Sequence, residues 1–213
     1  MVTTLLVLIQ GSSCVPISAQ SEIMRKMAQV MPKAEVLWVE KRELEEINID
    51  SLGDLESCSE HYYQHESLYQ RVEDYKAVIT SLADQYSQIV LLGASEGATI
   101  VGLLRQDGLA IDASIALNGG GQYFMEDILW NMEQTLVEPE RTDALEGIKN
   151  FAEHVLAMTE ADLRQDQDFS SNHSLRWWQE MLLLDMLDVW QKGKSPLLMI
   201  QALGDNNVIC DER

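Results

Sequence analysis

Residues 88–100, QIVLLGASEGATI, decide the fold. The run Ile89-Val90-Leu91-Leu92 has the length and composition of a buried strand. It breaks at Gly93, presents Ser95 between small residues, and resumes as an apolar-periodic segment through Leu104, which predicts a helix. Gly93-Ala94-Ser95-Glu96-Gly97 therefore places G-x-S-x-G where it has meaning, between a strand and a helix across a sharp turn. A serine on such a turn leaves no room for side chains two positions before or after it, which accounts for both glycines. Backbone amides and the following helix N-terminus can then face a developing negative charge.

Outward from the turn, the same alternation continues in both directions. Residues 3–10 are almost wholly apolar, as a parallel strand buried on both faces should be, and end in Gly11-Ser12-Ser13. Ile23, Met24, Met27, Ala28 and Met31 recur at helical spacing, with Ser18 or Ser21 as the expected cap and Pro32 as the stop. Residues 35–40 predict a second strand. Residues 43–66 show little periodicity and read as a long acidic loop, while 68–85 predict a helix. Residues 113–118 predict the strand after the elbow helix, ending in Gly119-Gly120-Gly121. That triplet lacks a phosphate-loop pattern and reads as a flexible hinge.

Beyond Tyr123 the strand signal disappears. Helices are expected near 125–136, 142–158, 159–165 and 175–192, in a stretch holding Trp130, Trp177, Trp178 and Trp190. Its tryptophans and methionines suit an apolar acyl pocket or the packing of these helices onto the body. Residues 196–202 predict the last strand, followed by Asp205 in a Gly-Asp-Asn-Asn turn. Strands and helices alternating through short connections imply an α/β, doubly wound, mainly parallel sheet of about five strands. The turns at Gly11, Gly93, Gly119 and Asp205 then share one carboxyl edge, where sites in such sheets lie.

Composition limits the function. Against 15 Lys and Arg stand 35 Asp and Glu, a formal charge of −20. So acidic a surface argues against nucleic acid or an anionic membrane as partner. Cys14, Cys58 and Cys210 are odd in number, without a C-x-x-C pair, and predict reduced thiols in a cytoplasmic protein with no zinc site. The amino-terminal apolar run has no Lys or Arg before Arg25, and reads as a core strand rather than a signal segment. Glu43, Glu45, Glu46, Asp50, Asp54 and Glu56 read as a solvated face without calcium-loop spacing. Neither a metal nor a cofactor is expected.

With these residues in view, the chain resembles an α/β-hydrolase over nearly its whole length. Residues 3–10 and 35–40 are similar to that family's third and fourth strands, and 87–92, 113–118 and 196–201 to its fifth, sixth and seventh. The resemblance implies a sheet order of 4-3-5-6-7, a core of residues 1–122 and 195–213, and a helical lid inserted at residues 123–194. More narrowly, Gln10-Gly11-Ser12-Ser13, Glu40-Lys41-Arg42 and the elbow resemble bacterial dienelactone-hydrolase-like members. Residue by residue, Ser95 matches the nucleophile, and the Glu96 amide with Ser12 or Ser13 matches the oxyanion donors. Asp205 matches the acid that holds the histidine's tautomer. Glu96 itself is expected to be partly exposed.

The departures are specific. Gln10 stands where many members have histidine, and Glu43 follows Arg42 where a glycine is frequent. The family's histidine comes after its acid, and no histidine follows Asp205. The four histidines are His61, His65, His154 and His173, of which His61, His65 or His173 could swing in. The resemblance implies a serine hydrolase acting on a small ester, thioester or lactone. The alternative is a truncated or non-catalytic binding protein of the same fold. A last strand left open at the sheet edge predicts a cover for it, by the lid, the C-terminal residues or a second copy in a homodimer.

Overall fold

The computed structural model describes residues 3–42, 44, 59–165, 169–171 and 173–209. The acidic run from Glu45 to Glu56, Glu43, Cys58 and Cys210 lie outside the described residues.

Strand β1 (Thr4–Ile9) is the pivot of the sheet. Five of its six residues are buried, and alternate residues go to opposite faces. Burying each such aliphatic side chain is worth about 2 kcal/mol, so this strand alone anchors both cores. β2 (Glu35–Leu37), β3 (Gln88–Ala94), β4 (Ala113–Leu117) and, far along the chain, a last strand at Leu197–Ile200 complete a five-stranded sheet. The order is β2-β1-β3-β4 and then that last strand, and every pair is parallel. This is the expected doubly wound sheet. Ile9 lies level with Gly93, Ala94 with Leu117, and Leu117 with Ile200, so the loops that follow four strands leave the sheet at one edge.

Helix α1 (Ser21–Ala28) covers one face, where Met24 packs with Leu6, Leu8, Val90 and Leu92. Its cap differs from expectation. Neither Ser18 nor Ser21 caps it; Gln20 occupies that position without a side-chain bond, and Ile23 points to solvent. The Glu40 carboxylate instead takes the Ile17 and Ser18 amides of the 3-10 turn leading into it.

The expected loop before residue 67 contains a further helix, α2 (Glu60–His65), capped by the Ser59 hydroxyl. Tyr62 and Tyr63 from α2 are buried with Cys14 and Leu44. Cys14 is disulfide-bonded, which overturns the expectation that all three thiols are reduced and removes the ground given for a cytoplasmic location. An odd cysteine count is equally compatible with one pair and one remaining thiol.

The other face is built by α3 (Leu68–Leu82), α4 (Glu96–Leu104) and the helices after β4. These are α5 (Phe124–Thr135), α6 (Glu140–Ala157), α7 (Glu160–Gln165), α8 (Leu175–Leu182) and α9 (Met186–Lys192). The single helix expected over 175–192 is two, because Asp185 takes the amides of Leu187 and Asp188 and starts a new one. A small hairpin of β5 (Phe169–Ser170) and β6 (His173–Ser174) precedes α8, where no strand was expected. At two residues per strand, it is too short for any periodicity to show. The last sheet strand is thus β7 (Leu197–Ile200).

Gly119 and Gly120 serve packing. A Cβ on Gly119 would meet Ala98 and Trp190, and Gly120 has φ +67. Trp190 Nε1 donates to the Gly120 carbonyl at 2.9 Å. β7 pairs only with β4 among the described residues, and Leu198, Met199 and Ile200 remain exposed, so neither the helices nor the described C-terminal residues cover that edge. No helix among the described residues is long and apolar enough to cross a membrane.

Candidate active site

Ser95 sits between β3 and α4 at φ 55 and ψ −128, a backbone conformation that L residues rarely occupy. Its amide donates to the Leu117 carbonyl at 2.9 Å, tying the turn to β4, while its side chain is exposed. The glycines are demanded by contact. A Cβ on Gly93 would lie 2.2 Å from the Gly97 carbonyl oxygen, and one on Gly97 would lie 2.2 Å from that of Ile9. Backbone cannot yield as a flexible side chain does, so Gly97→Ala is expected to destabilise the fold by about 3 kcal/mol, at the upper end for overpacking. Urea unfolding with Gly147→Ala as control checks this, since nothing lies within 4 Å of a Cβ at Gly147.

The loop after β1 lies against this turn. A Cβ on Gly11 would meet the Ala94 carbonyl oxygen at 3.2 Å and Ser95 Cβ at 3.5 Å. Gln10 is buried and braces the loop, its amide nitrogen donating to the carbonyls of Ser13 at 3.2 Å and Val15 at 2.7 Å. Ser12 borders a cavity of about 290 Å³ with Ser95 and Glu96, whereas Ser13 Oγ is engaged with the Val15 amide. Asp205 accepts the Asn207 amide at 2.9 Å within its own turn, and Asn207, not Asp205, borders that cavity. Asn131 of α5 donates to the Asn206 carbonyl at 2.7 Å, joining this turn to the helical layer.

Beneath Ser95 is a buried charged network that the sequence did not reveal. Glu96, expected to be partly exposed, is buried and paired with Arg71 of α3. Arg71 also donates to the carbonyls of Gln10 at 2.8 Å and Gly11 at 3.4 Å, so one guanidinium grips the elbow and the β1 loop together. Trp177 Nε1 donates to the other Glu96 oxygen at 2.7 Å. Burial would raise the Glu96 pKa, but the Arg71 charge, helped by Lys41 and His173, holds it down at about 2. Lys41 is buried too, and donates to the Ser13 carbonyl at 2.9 Å and Tyr62 Oη at 3.2 Å. Burial and then the Arg71 charge bring its pKa down to about 7.

Tyr62 in turn donates to Glu66 at 2.9 Å, and Glu66 accepts from the Ser174 amide at 2.8 Å. His173 Nδ1 lies 2.8 Å from the Glu66 carboxylate, and the imidazole stacks on Trp177 with centroids 3.6 Å apart. Ligand atoms of Glu66, Glu96 and His173 all fall within 4.8 Å of one another. Their oxygens already accept from Arg71, Trp177, Tyr62 and Ser174, and two cationic side chains stand beside them, so the set is charge-compensated by protein and does not suit a metal ion.

No protein-family model matches the sequence, and no curated protein does. Solved structures match over nearly the whole chain. A proline iminopeptidase of Mycobacterium smegmatis aligns with 95% of this chain and 74% of its own, at 12% identity and a TM-score of 0.57. A carboxylesterase of the thaumarchaeon Nitrososphaera gargenis aligns with 96% of this chain and 74% of its own, at 16% identity and 0.53. A metagenome-derived lipolytic enzyme aligns with 94% of this chain and 73% of its own, at 10% identity and 0.51. The chain has the α/β-hydrolase fold.

Within that fold a second, smaller cavity of about 100 Å³ adjoins the first, sharing Ser95, Glu96, Phe124, Met181 and Asn207. Trp177 and Trp178 border the larger cavity and are themselves buried in the core. Asp127 of α5 borders the smaller one and escaped sequence reading. It is buried, accepts the Ile209 amide at 3.0 Å, and is raised to a pKa of about 6 chiefly by burial. A carboxyl whose folded pKa exceeds its unfolded one contributes stability at low pH that is lost as pH rises through the folded value. Asp127→Asn is therefore expected to leave stability unchanged near pH 4 and to raise it by about 2 kcal/mol at pH 8. Urea unfolding at the two pH values measures this. His61 and His65 meet edge to face in α2, and His154 is exposed near the end of α6. Of the four histidines, His173 alone borders the cavity with Ser95.

Proposed function

We propose that this chain is a serine hydrolase acting on a small ester, thioester or lactone, with Ser95 as nucleophile. One observation carries it: an exposed serine in a strained strand-to-helix turn, at the mouth of a cavity, flanked by glycines that tolerate no Cβ. Such strain persists where the surroundings enforce it and concentrates at sites of chemistry.

Ser95 Oγ attacks the carbonyl carbon, and the oxyanion is received by the Glu96 amide at the N-terminus of α4 and by an amide of Ser12 or Ser13. None of these three amides donates to a protein acceptor among the described residues. Asp205 keeps the family's place after β7 and acts on this site through its turn, holding the Asn207 amide so that Asn207 meets the cavity wall. The helices from α5 to α9 form a lid over the carboxyl edge, and Phe124, Ile128, Trp178 and Met181 offer an apolar seat for the acyl group. Glu96 does not repel an anionic substrate, because Arg71 neutralises it. The open β7 edge suits a second copy in a homodimer, one of the three covers expected from the sequence.

The test is hydrolysis of short-chain aryl esters, together with labelling by a fluorophosphonate probe and mapping of the adduct by peptide mass spectrometry. An adduct on Ser95 is the expected result. A chain that stays unlabelled and hydrolyses no ester, under conditions that label a control hydrolase, overturns the proposal in favour of the non-catalytic alternative.

A further inference from the structure

A serine hydroxyl needs a positioned base. We propose that His173, presented by the β5–β6 hairpin and held by Glu66, is the general base that activates Ser95. This rests on Ser95 being the nucleophile.

The arrangement of His173 has the two halves that a catalytic imidazole requires. One ring nitrogen is fixed: Nδ1 meets the Glu66 carboxylate at 2.8 Å, and that carboxylate is itself immobilised. It accepts from Tyr62 at 2.9 Å and from the Ser174 amide at 2.8 Å, while the Ser174 hydroxyl donates to the Glu66 carbonyl at 2.9 Å. Stacking on Trp177, at an interplanar angle of 11°, sets the ring plane, and Trp177 is pinned to Glu96, the residue after Ser95. The other nitrogen, Nε2, has no protein partner among the described residues. The side chain keeps 13% of its surface open and borders the same cavity of about 290 Å³ as Ser95 and Ser12. A histidine donating Nδ1–H to a buried carboxylate has Nε2 as its basic atom, on the opposite side of the ring. A histidine serving only as structure would have no need of an acid with every other partner already supplied.

The step is balanced. As Ser95 Oγ bonds to the carbonyl carbon, its proton passes to His173 Nε2, and Glu66 stabilises the imidazolium through Nδ1–H. When the tetrahedral intermediate collapses, the bond to the leaving group breaks and the Nε2 proton goes to that group. Water then enters, its oxygen bonding to the acyl carbon as it gives a proton to Nε2; when this second intermediate collapses, the bond to Ser95 Oγ breaks and the Nε2 proton returns to Oγ, releasing the acid and free Ser95. Glu66 is a positioning residue, 107 positions away in sequence from the histidine it orients. This pairing places the acid in the link between α2 and α3 and the base on the β5–β6 hairpin, rather than after β7.

Fluorophosphonate labelling kinetics give the test, because they need an activated Ser95 but no knowledge of the natural substrate. Wild type is expected to label at Ser95, and His173→Ala to label about 10²–10⁴ times more slowly, the range for loss of general base catalysis. Imidazole added to His173→Ala should restore part of the rate. His173→Gln, which keeps an amide donor toward Glu66, should be equally slow, so a folding defect peculiar to the alanine variant cannot carry the result. Glu66→Gln offers an amide to Nδ1 and forces the proton onto Nε2, and is expected to lower kcat for an aryl ester while leaving KM unchanged. Labelling of both folded His173 variants at the wild-type rate overturns the base assignment and leaves Ser95 as nucleophile. Loss of labelling in wild type itself overturns the function as well.

Discussion

Ser95→Ala is expected to abolish ester hydrolysis and fluorophosphonate labelling, a fall in kcat of about 10⁴-fold or more on the scale of lost catalytic serines. It should leave the unfolding midpoint close to that of wild type. The two outcomes together separate chemistry from structure. The side chain is exposed, and Ser95 holds the turn through its backbone, whose amide bonds Leu117. Alanine keeps that amide and suffers the same strain at φ 55 and ψ −128. Glycine does not suffer it, so Ser95→Gly should be equally inactive but more stable than wild type, by about 1–2 kcal/mol less whatever unfolded-state entropy glycine adds. A protein that gains stability by losing one hydroxyl-bearing residue holds that residue for what the hydroxyl does. Chemical denaturation and labelling on the same three preparations make the comparison. Wild-type rates in Ser95→Ala would remove the serine from the mechanism.

What could be seen in the sequence was whatever is local. Strand, turn and helix around Ser95 occupy consecutive residues, and each carries its own signal: β-branched and leucine-rich burial, two glycines, then helical periodicity. The parallel sheet followed, because short connections and a fixed crossover hand leave few alternatives. The charged network was invisible for the opposite reason. Arg71 and Glu96 lie 25 positions apart, Trp177 and Glu96 81 apart, Glu66 and His173 107 apart. No spacing rule links such pairs, and Arg71, Glu96, Glu66 and His173, each taken alone, have the composition of solvated surface. Arg71 gave one hint. It falls one position before Val72 on the buried stripe of α3, a place where a cation is admitted only with a partner. The β5–β6 hairpin and the split between α8 and α9 were missed because two-residue strands and an Asp185 cap leave the apolar pattern almost unbroken.

Arg71→Met should be the most damaging substitution away from the nucleophile. Removing one partner of a buried ion pair strands the other charge and costs about 3–5 kcal/mol. Here it strands Glu96, one residue from Ser95, with the Trp177 indole as its one remaining side-chain donor among the described residues. It also frees the carbonyls of Gln10 and Gly11, so the loop carrying Ser12 loses its grip on the elbow. Activity should fall with stability. Removing both charges isolates the pair's net worth: Arg71→Met with Glu96→Gln should recover most of the lost stability, since neither side chain then holds an uncompensated charge. The pH dependence gives an independent check. Arg71 keeps the Glu96 pKa near 2 instead of 4.5, and a carboxylate depressed in the folded state contributes stability that is present above its unfolded pKa and lost as pH falls toward the folded one. Wild type should therefore weaken between about pH 4.5 and 2, and the double variant should show a flatter acid limb. Urea unfolding of the four members of this cycle at pH 7 and pH 3 measures both effects. A double variant as unstable as Arg71→Met would mean that the guanidinium matters for the loop carbonyls it holds rather than for the charge it neutralises.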